Sequence, residues 1–317
     1  DDREELTALQ RRAYAKGRQT IWPRFADGAA ALIEAAVAPP GRSAPITATP
    51  GLSGVFAMSD HTGMFQHAIG VVPDRRHGYC LDDNARALML MNVAAGLPEQ
   101  ERARWSLTYA SFVQHAWNED RQAFRNFMNF DRTWCEELGS EDSNGRTLWA
   151  LGHTVENATD RELRAWARRW YDTARPHCAE FTSPRTIAFT MLGAAAVMRA
   201  DAGDRASREL LMNGADVLCR LLERERRPDW AWFEAVLGYD NPRLSQALIE
   251  AGMVLGDQTM IGAGLETLEW IAQQQTAAEG HFRPIGSETF GKSSYTSLPF
   301  DQQPLEAARR RRGINVQ

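Results

Sequence analysis

Along this chain a short polar motif repeatedly precedes an apolar, Ala- and Leu-rich segment. It reads Asp83-Asn84-Ala85-Arg86, Ser143-Asn144-Gly145-Arg146, Ser183-Pro184-Arg185, Asp240-Asn241-Pro242-Arg243 and Asp301-Gln302-Gln303-Pro304. Arg86, Arg146 and Arg243 hold the same place after the Asn. Behind each motif the apolar residues fall at helical spacing: Leu88, Leu90 and Met91; Leu148, Trp149 and Leu151; Ile187, Met191 and Leu192; Leu244, Leu248 and Ile249. Asp, Ser or Asn followed by Pro or a good helix former marks a helix start, so Asp83, Ser143, Asp240 and Asp301 are the expected N-caps. More polar helices are expected between them, at about 103–117, 160–174, 203–224 and 258–275, each with an apolar stripe and Arg and Glu opposite.

The rhythm is inner helix, outer helix, inner helix, with a period of roughly 40–60 residues, as two helices and their loops require. Alternating β-branched residues are sparse and no strand–helix–strand rhythm is present. The expected fold is all-α, an (α/α) barrel or toroid of about five to six helical hairpins. Residues 1–47 form an N-terminal helical segment assigned to the same toroid, with the Ala-rich stretch at 26–38 as a further barrel helix. Residues 48–317 form the toroid domain. The tail after Gln303 is short and Arg-rich for a final pair, which suggests truncation there.

Composition narrows the chemistry. The 317 residues carry a net charge of −5, which gives no electrostatic case for nucleic acid or an anionic membrane. The basic residues are almost all Arg, with Lys16 and Lys292 the only lysines, so covalent lysine chemistry has little to rest on. Cys80, Cys135, Cys178 and Cys219 are widely spaced and read as buried free thiols rather than a disulfide or zinc framework. No membrane-length apolar run and no signal peptide is visible, which points to the cytoplasm, although the chain opens on Asp1 rather than Met.

Long loops lead into the inner helices, at about 40–82, 118–142, 226–240 and 276–301, and loops of that length in a compact domain tend to be functional. If Asp83 caps its helix, Asp82 is free to point into the mouth. Its counterparts in the other repeats are Asp142, Tyr239 and Phe300. Glu137, in the acidic run before Asp142, and Glu234, between aromatic residues, add carboxyl groups near the same opening. A carboxyl against aromatic walls tends to hold its proton, and two carboxyls in different environments suffice for glycosidic bond hydrolysis. Tyr79, Trp134, Trp232 and Tyr239 offer flat faces suited to sugar rings. Trp105, Trp149, Trp166, Trp170 and Trp270 lie within helices and read as core. Asp60, His61, His67 and His281 supply hydrogen-bonding or acid/base groups, and no spacing among them is that of a metal site. Gly286 to Ser293 fits the phosphate-loop pattern, but no strand precedes it and no helix follows. It reads as a Gly-rich loop at the mouth, with no nucleotide or other cofactor.

The segments His77–Leu88, Gly139–Arg146, Trp232-Phe233-Glu234 with Tyr239-Asp240-Asn241, and Phe300–Pro304 resemble the α-toroid carbohydrate-active proteins, the six-hairpin glycosidase-like group. More narrowly, the chain resembles a bacterial toroid domain found fused to or beside glycosyltransferases. The resemblance covers about residues 48–307. It implies catalytic Asp or Glu at the ends of inner helices, which agrees with Asp82 and Asp142. The expected function is therefore a glycoside hydrolase on an oligo- or polysaccharide. Asp82 or Asp142 would activate water and Glu137 or Glu234 would protonate the leaving oxygen. Asp83, Arg86, Arg146, Arg243 and Gln302 would orient these groups or bind substrate. The same architecture also hosts sugar epimerases that work through histidines, here His61 or His67 with His281. A third alternative is a non-catalytic glycan-binding domain serving a glycosyltransferase.

Overall fold

The computed structural model describes residues 2–17, 51–94, 96–286 and 306. The chain divides into two compact units, Asp1–Pro50 and Gly51–Gln317. The first contributes one mostly polar helix, α1 (Asp2–Gly17), with Leu6 and Leu9 exposed. The stretch at 26–38 and the motif at 301–304 lie outside the described residues.

The second unit opens on a short helix, α2 (Ser53–Ala57), and then builds four consecutive hairpins. These are α3 (Leu81–Val93) with α4 (Glu99–Ala116), α5 (Glu141–Asn157) with α6 (Arg161–Cys178), α7 (Pro184–Ala200) with α8 (Arg205–Glu225), and α9 (Pro242–Leu255) with α10 (Gln258–Gln274). Helices α3, α5, α7 and α9 pack side by side in chain order, and each packs against its own hairpin partner. The expected inner and outer layers are thus present, and burial follows them. Helix α5 is buried on every side from Ser143 to Gly152, and α7 from Arg185 to Met198. In contrast, α6 buries only a stripe, Leu163, Ala167, Tyr171, Ala174 and Cys178, as an amphipathic outer helix does. Helices α5 and α7 cross at two glycines. A Cβ on Gly152 would stand 2.3 Å from the Gly193 carbonyl oxygen, so the backbones meet where no side chain fits.

The mouth loops contain short strands that the apolar pattern does not announce. They are β1 (Ala68–Ile69) with β2 (Val72–Pro73), β4 (Trp117–Asn118) with β5 (Ala123–Phe124), and β3 (Tyr79–Cys80) with β6 (Phe127–Met128). The last pair is antiparallel, with Tyr79 opposite Met128, and stitches the loop before α3 to the loop before α5. Gly78 precedes it at φ +58°, where a Cβ would lie 2.0 Å from the Met128 carbonyl oxygen.

The expected N-caps are corrected by the structure. Helix α3 begins at Leu81, so Asp83 lies inside its first turn. Helix α5 is capped by Ser140, whose hydroxyl accepts from the Ser143 N–H. Asp240 precedes α9 in a left-handed conformation, φ +52°, and does not cap it. Asp301 lies outside the described residues. The motif works through its Asn instead. Asn84 accepts from the Met64 N–H (2.8 Å) and donates to the Met64 carbonyl (3.3 Å) and to the Cys80 carbonyl (2.8 Å). Asn144 repeats the arrangement: it accepts from the Phe124 N–H (2.8 Å) and donates to the carbonyls of Phe124 (3.1 Å) and Ser140 (3.0 Å). A side-chain amide thereby pairs with a backbone amide twenty residues earlier, in both repeats. Of the thiols, Cys80 and Cys178 are buried as expected, whereas Cys135 is exposed.

Asn144→Ala removes the acceptor of the buried Phe124 N–H, while the Phe124 carbonyl keeps the Gly139 N–H, so it is expected to cost about 1–3 kcal/mol in urea unfolding. A loss within experimental error would mean that the amide clamp does not hold the loop.

Candidate functional site

The starts of three inner helices, α3, α5 and α9, converge on Arg146. Its guanidinium, with the side chain 4% exposed, pairs with Asp82 (Nε, 3.2 Å), Asp142 (Nη2, 3.2 Å) and Asp240 (Nη1, 3.5 Å). These carboxylates come from the first turns of α3 and α5 and from the residue before α9's N-cap. Asp82 and Asp142 keep 21% and 25% of their side chains exposed, while Asp240 is fully buried. The two open carboxyls thus sit above a buried cation. Arg146 also lies over the Phe189 ring (4.2 Å), and Phe189 stacks parallel to Trp149 (6.1 Å). Arg243, the equivalent residue two hairpins on, lies over Trp149 (4.1 Å) and against Asp240 (3.8 Å). Arg86, the first of the series, is exposed and pairs with Asp83 (2.6 Å) and Asp82 (3.5 Å).

A third buried arginine belongs to the repeated motif but is not among the candidate site residues taken from the sequence. Arg185, at the head of α7, donates through Nη1 to both oxygens of Glu234 (2.7 Å each), through Nε to the Tyr239 carbonyl, and through Nη2 to Asn241 Oδ1 (3.1 Å). Its guanidinium also lies over the Tyr239 ring (5.0 Å). Its signal was legible: an Arg heading an otherwise apolar helix must find a carboxylate if buried. Asn126 is a further unsuspected contributor. Its Oδ1 accepts from the Asp82 N–H (3.3 Å) and from Cys80 Sγ (3.2 Å), fixing the start of α3.

Electrostatics separates the carboxyls. Burial raises the pKa of Asp82 above 3.8, against the opposing pull of Arg146 and Arg86, and Asp142 and Asp83 push it further up. Burial also raises the pKa of Tyr239, reinforced by its hydrogen bond to Asp142. Asp82, Asp142 and Tyr239, which occupy the same position in the repeat, therefore meet around one guanidinium.

The other candidates lie elsewhere. Glu137 is exposed in its loop, bonded to Asn118 (2.8 Å) and Arg125 (3.3 Å). Trp134 packs on Phe112 and His115 of α4. Trp232 is fully enclosed against Phe233 and Trp270, with no face open to a ligand. Asp60 is tied to the Thr62 N–H (2.7 Å) and the Tyr79 hydroxyl (2.7 Å). Tyr79 is buried under Phe65, and burial together with Asp60 pushes its pKa up to about 12. His61 and His67 are exposed, and His67 meets His77 edge-on (4.5 Å) rather than facing His281. His281 is exposed beside Glu279 (3.9 Å). Gln302 and most of the Gly286–Ser293 loop lie outside the described residues. Among the described residues, no group of three His, Cys, Asp or Glu is placed to hold a metal ion, and no helix is long and apolar enough to cross a membrane. A cleft of about 260 Å³ between α6, α7 and α8 lies in the outer layer and shares no residue with this mouth.

No protein-family model matches the chain, and neither does any curated protein sequence. Solved structures do. A sugar epimerase from a ruminal bacterium superposes with a TM-score of 0.57 at 13% identity, over 71% of this chain and 69% of that one. Cellobiose 2-epimerase from Bacillus thermoamylovorans B4167 gives 0.60 at 10% identity, over 73% and 71%. Cellobiose 2-epimerase from Spirochaeta thermophila DSM 6192 gives 0.52 at 16%, over 67% and 65%. The fold is the (α/α) toroid. At these identities the likeness is one of architecture, and residue roles are not carried across by it.

Two measurements test the hub. Arg146→Met strands three carboxylates together and is expected to cost about 3–5 kcal/mol of stability. A ¹³C-carboxyl titration should place the Asp82 midpoint above 3.8 in the wild type and higher still in Arg146→Met, since Arg146 is the largest force lowering it. The folded protein binds that proton more tightly than the unfolded chain. The charge of Asp82 is therefore neutral for stability below pH 3.8 and unfavourable once pH has risen through the folded pKa. Asp82→Asn should accordingly gain on the wild type as pH rises through that window. A constant difference across the window would contradict the assignment.

Proposed function

We propose that this protein is a carbohydrate-active enzyme, a sugar epimerase or isomerase working at the mouth by carboxyl and tyrosine acid/base chemistry. The observation that carries the reading is the trio Asp82, Asp142 and Tyr239 around Arg146. Asp82 is a half-open carboxyl whose desolvation favours the protonated form, and Tyr239 is hydrogen-bonded to Asp142 beside it. Fold neighbours described as sugar epimerases support the same substrate class.

Epimerisation next to an aldehyde needs a base to take the proton from the carbon and an acid to return one on the opposite face. In this reading Asp142, through Tyr239, takes the proton from the open-chain sugar and leaves an enediolate. Asp82 then donates its proton to the other face, so the sugar's composition is unchanged. Arg146 and Arg243 hold positive charge beneath the developing oxyanion. The roles expected of His61, His67 and His281 pass to these groups in the proposal, because those three histidines are exposed and His67 pairs with His77 rather than with His281.

The expected hydrolase is less well supported by the geometry. Asp82 Oδ1 and Asp142 Oδ2 stand 3.2 and 3.3 Å from the same Arg146 nitrogen. They are therefore within about 6.5 Å of each other, which is short for the roughly 6.5–9.5 Å of an inverting pair and leaves room for the about 5–5.5 Å of a retaining pair. Of the two expected acids, Glu234 has both oxygens committed to Arg185, and Glu137 is bonded to Asn118 and Arg125 in its loop.

Incubating the protein in D₂O with reducing mono- and disaccharides, cellobiose among them, tests the proposal by NMR. The expected result is a new epimer carrying deuterium on the inverted carbon, lost by about 10²-fold or more in Asp82→Asn and Tyr239→Phe. Released monosaccharide would instead return the hydrolase. Silence with retained glycan binding would favour the non-catalytic domain.

A further inference from the structure

We propose that Glu306 is a positioning residue of the mouth, acting through Asn241 and Arg185 on Glu234 and Tyr239. The proposal rests on the reading of the mouth as a sugar-converting site, and deepens it.

Glu306 is 1% exposed, sixty-five residues from Asn241 in sequence. Its Oε1 accepts from the Asn241 backbone N–H (3.1 Å), and its Oε2 accepts from Gln275 Nε2 (2.7 Å) and Asn241 Nδ2 (3.5 Å). Asn241 is the N-cap of α9, and its own side chain does not cap that helix. The neighbouring Asp240 is turned toward Arg146 and Arg243 instead. Glu306 therefore supplies the acceptor that an N-terminus requires, and its negative charge complements the positive end of α9. Asp240 is released by this substitution of roles to serve the ion-pair hub.

From Asn241 the chain of contacts runs to the mouth without a gap. Asn241 Oδ1 accepts from Arg185 Nη2 (3.1 Å) and from the Gly238 N–H (3.0 Å). Arg185 in turn holds both Glu234 oxygens and the Tyr239 carbonyl. Asn241 is thus gripped from below by Glu306 while it orients Arg185 above. The Asn241 amide is also paired with Gly238 in both directions, so removing Glu306 strips the acceptor from the Asn241 backbone N–H and lets Asn241 and Gly238 shift together, carrying away the acceptor that sets the plane of the guanidinium. Glu306 touches neither the open carboxyls nor any reacting atom, so its effect is one of placement.

The test compares Glu306→Ala, Glu306→Gln and Gln275→Ala. The Gln275 variant removes another contact to the same carboxylate but leaves Asn241 and Arg185 untouched. Two readouts are taken: solvent-exchange protection of the Arg185 Nε–H by NMR, and kcat and KM on the sugar identified in D₂O. Glu306→Ala is expected to lose the protection and to lower kcat by about 10²-fold with a smaller change in KM, the scale of a slight misplacement of the reacting groups. Gln275→Ala should keep both. Glu306→Gln should fall between, because its amide oxygen can still accept from the Asn241 N–H. It decides the matter if the alanine variant does not fold. Protection and kcat both unchanged in the Glu306 variants, or lost equally in Gln275→Ala, would overturn the proposal. Lost protection in a protein whose wild type converts no sugar would keep Glu306 as the positioning residue and discard the sugar-converting reading.

Discussion

One guanidinium organises this molecule. Arg146 faces carboxylates from three points along the chain, Asp82, Asp142 and Asp240. Without it their mutual repulsion at buried positions would oppose the convergence of the inner helices. A buried cation with three anions around it is overall negative, and the excess is moderated by Arg243 and by Arg86 at the edge. The two rings beneath, Phe189 and Trp149, give each buried repeat arginine a face to rest on. Ion pairing sets the geometry at the mouth, and aromatic packing sets it one layer down.

That arrangement accounts for how the site can be both ordered and reactive. Arg146, Arg243 and Asp240 are sealed, so the charges that must not move are immobile. Asp82 and Asp142 keep an edge open to solvent. Desolvation and the neighbouring carboxylates push Asp82 toward its protonated form while Arg146 pulls the other way. Such opposed forces leave a carboxyl sensitive to what binds beside it, a property suited to a group that must both give and take a proton.

Much of this was legible in the sequence. The alternation of apolar and amphipathic segments predicts the hairpins and their layers, because burial on all sides or on one stripe is a property of composition alone. Repeat alignment placed Asp82, Asp142 and Tyr239 at one position, and these three do meet. What the motif does locally was not legible. Its Asp and Ser look like helix caps, yet the Asn carries the long-range bond, and the cap of α9 comes from Glu306. Those contacts depend on where distant loops return, which no local pattern encodes. Trp232 shows the converse error, since an aromatic in a long loop can turn inward as readily as it faces a ligand.

The paired amides of Asn84 and Asn144 carry one more consequence. Each closes a loop of equal length, joining its two ends at a single side chain. The segment between is tethered at both ends to the same helix start, so the stretches of it that make no contact across the mouth can change sequence without shifting the helix it serves. The two lobes stand on fixed posts and are joined to each other where Tyr79 and Cys80 meet Asn126, Phe127 and Met128. A lineage could reshape the mouth by rewriting those free stretches one lobe at a time, with the barrel beneath left as it was.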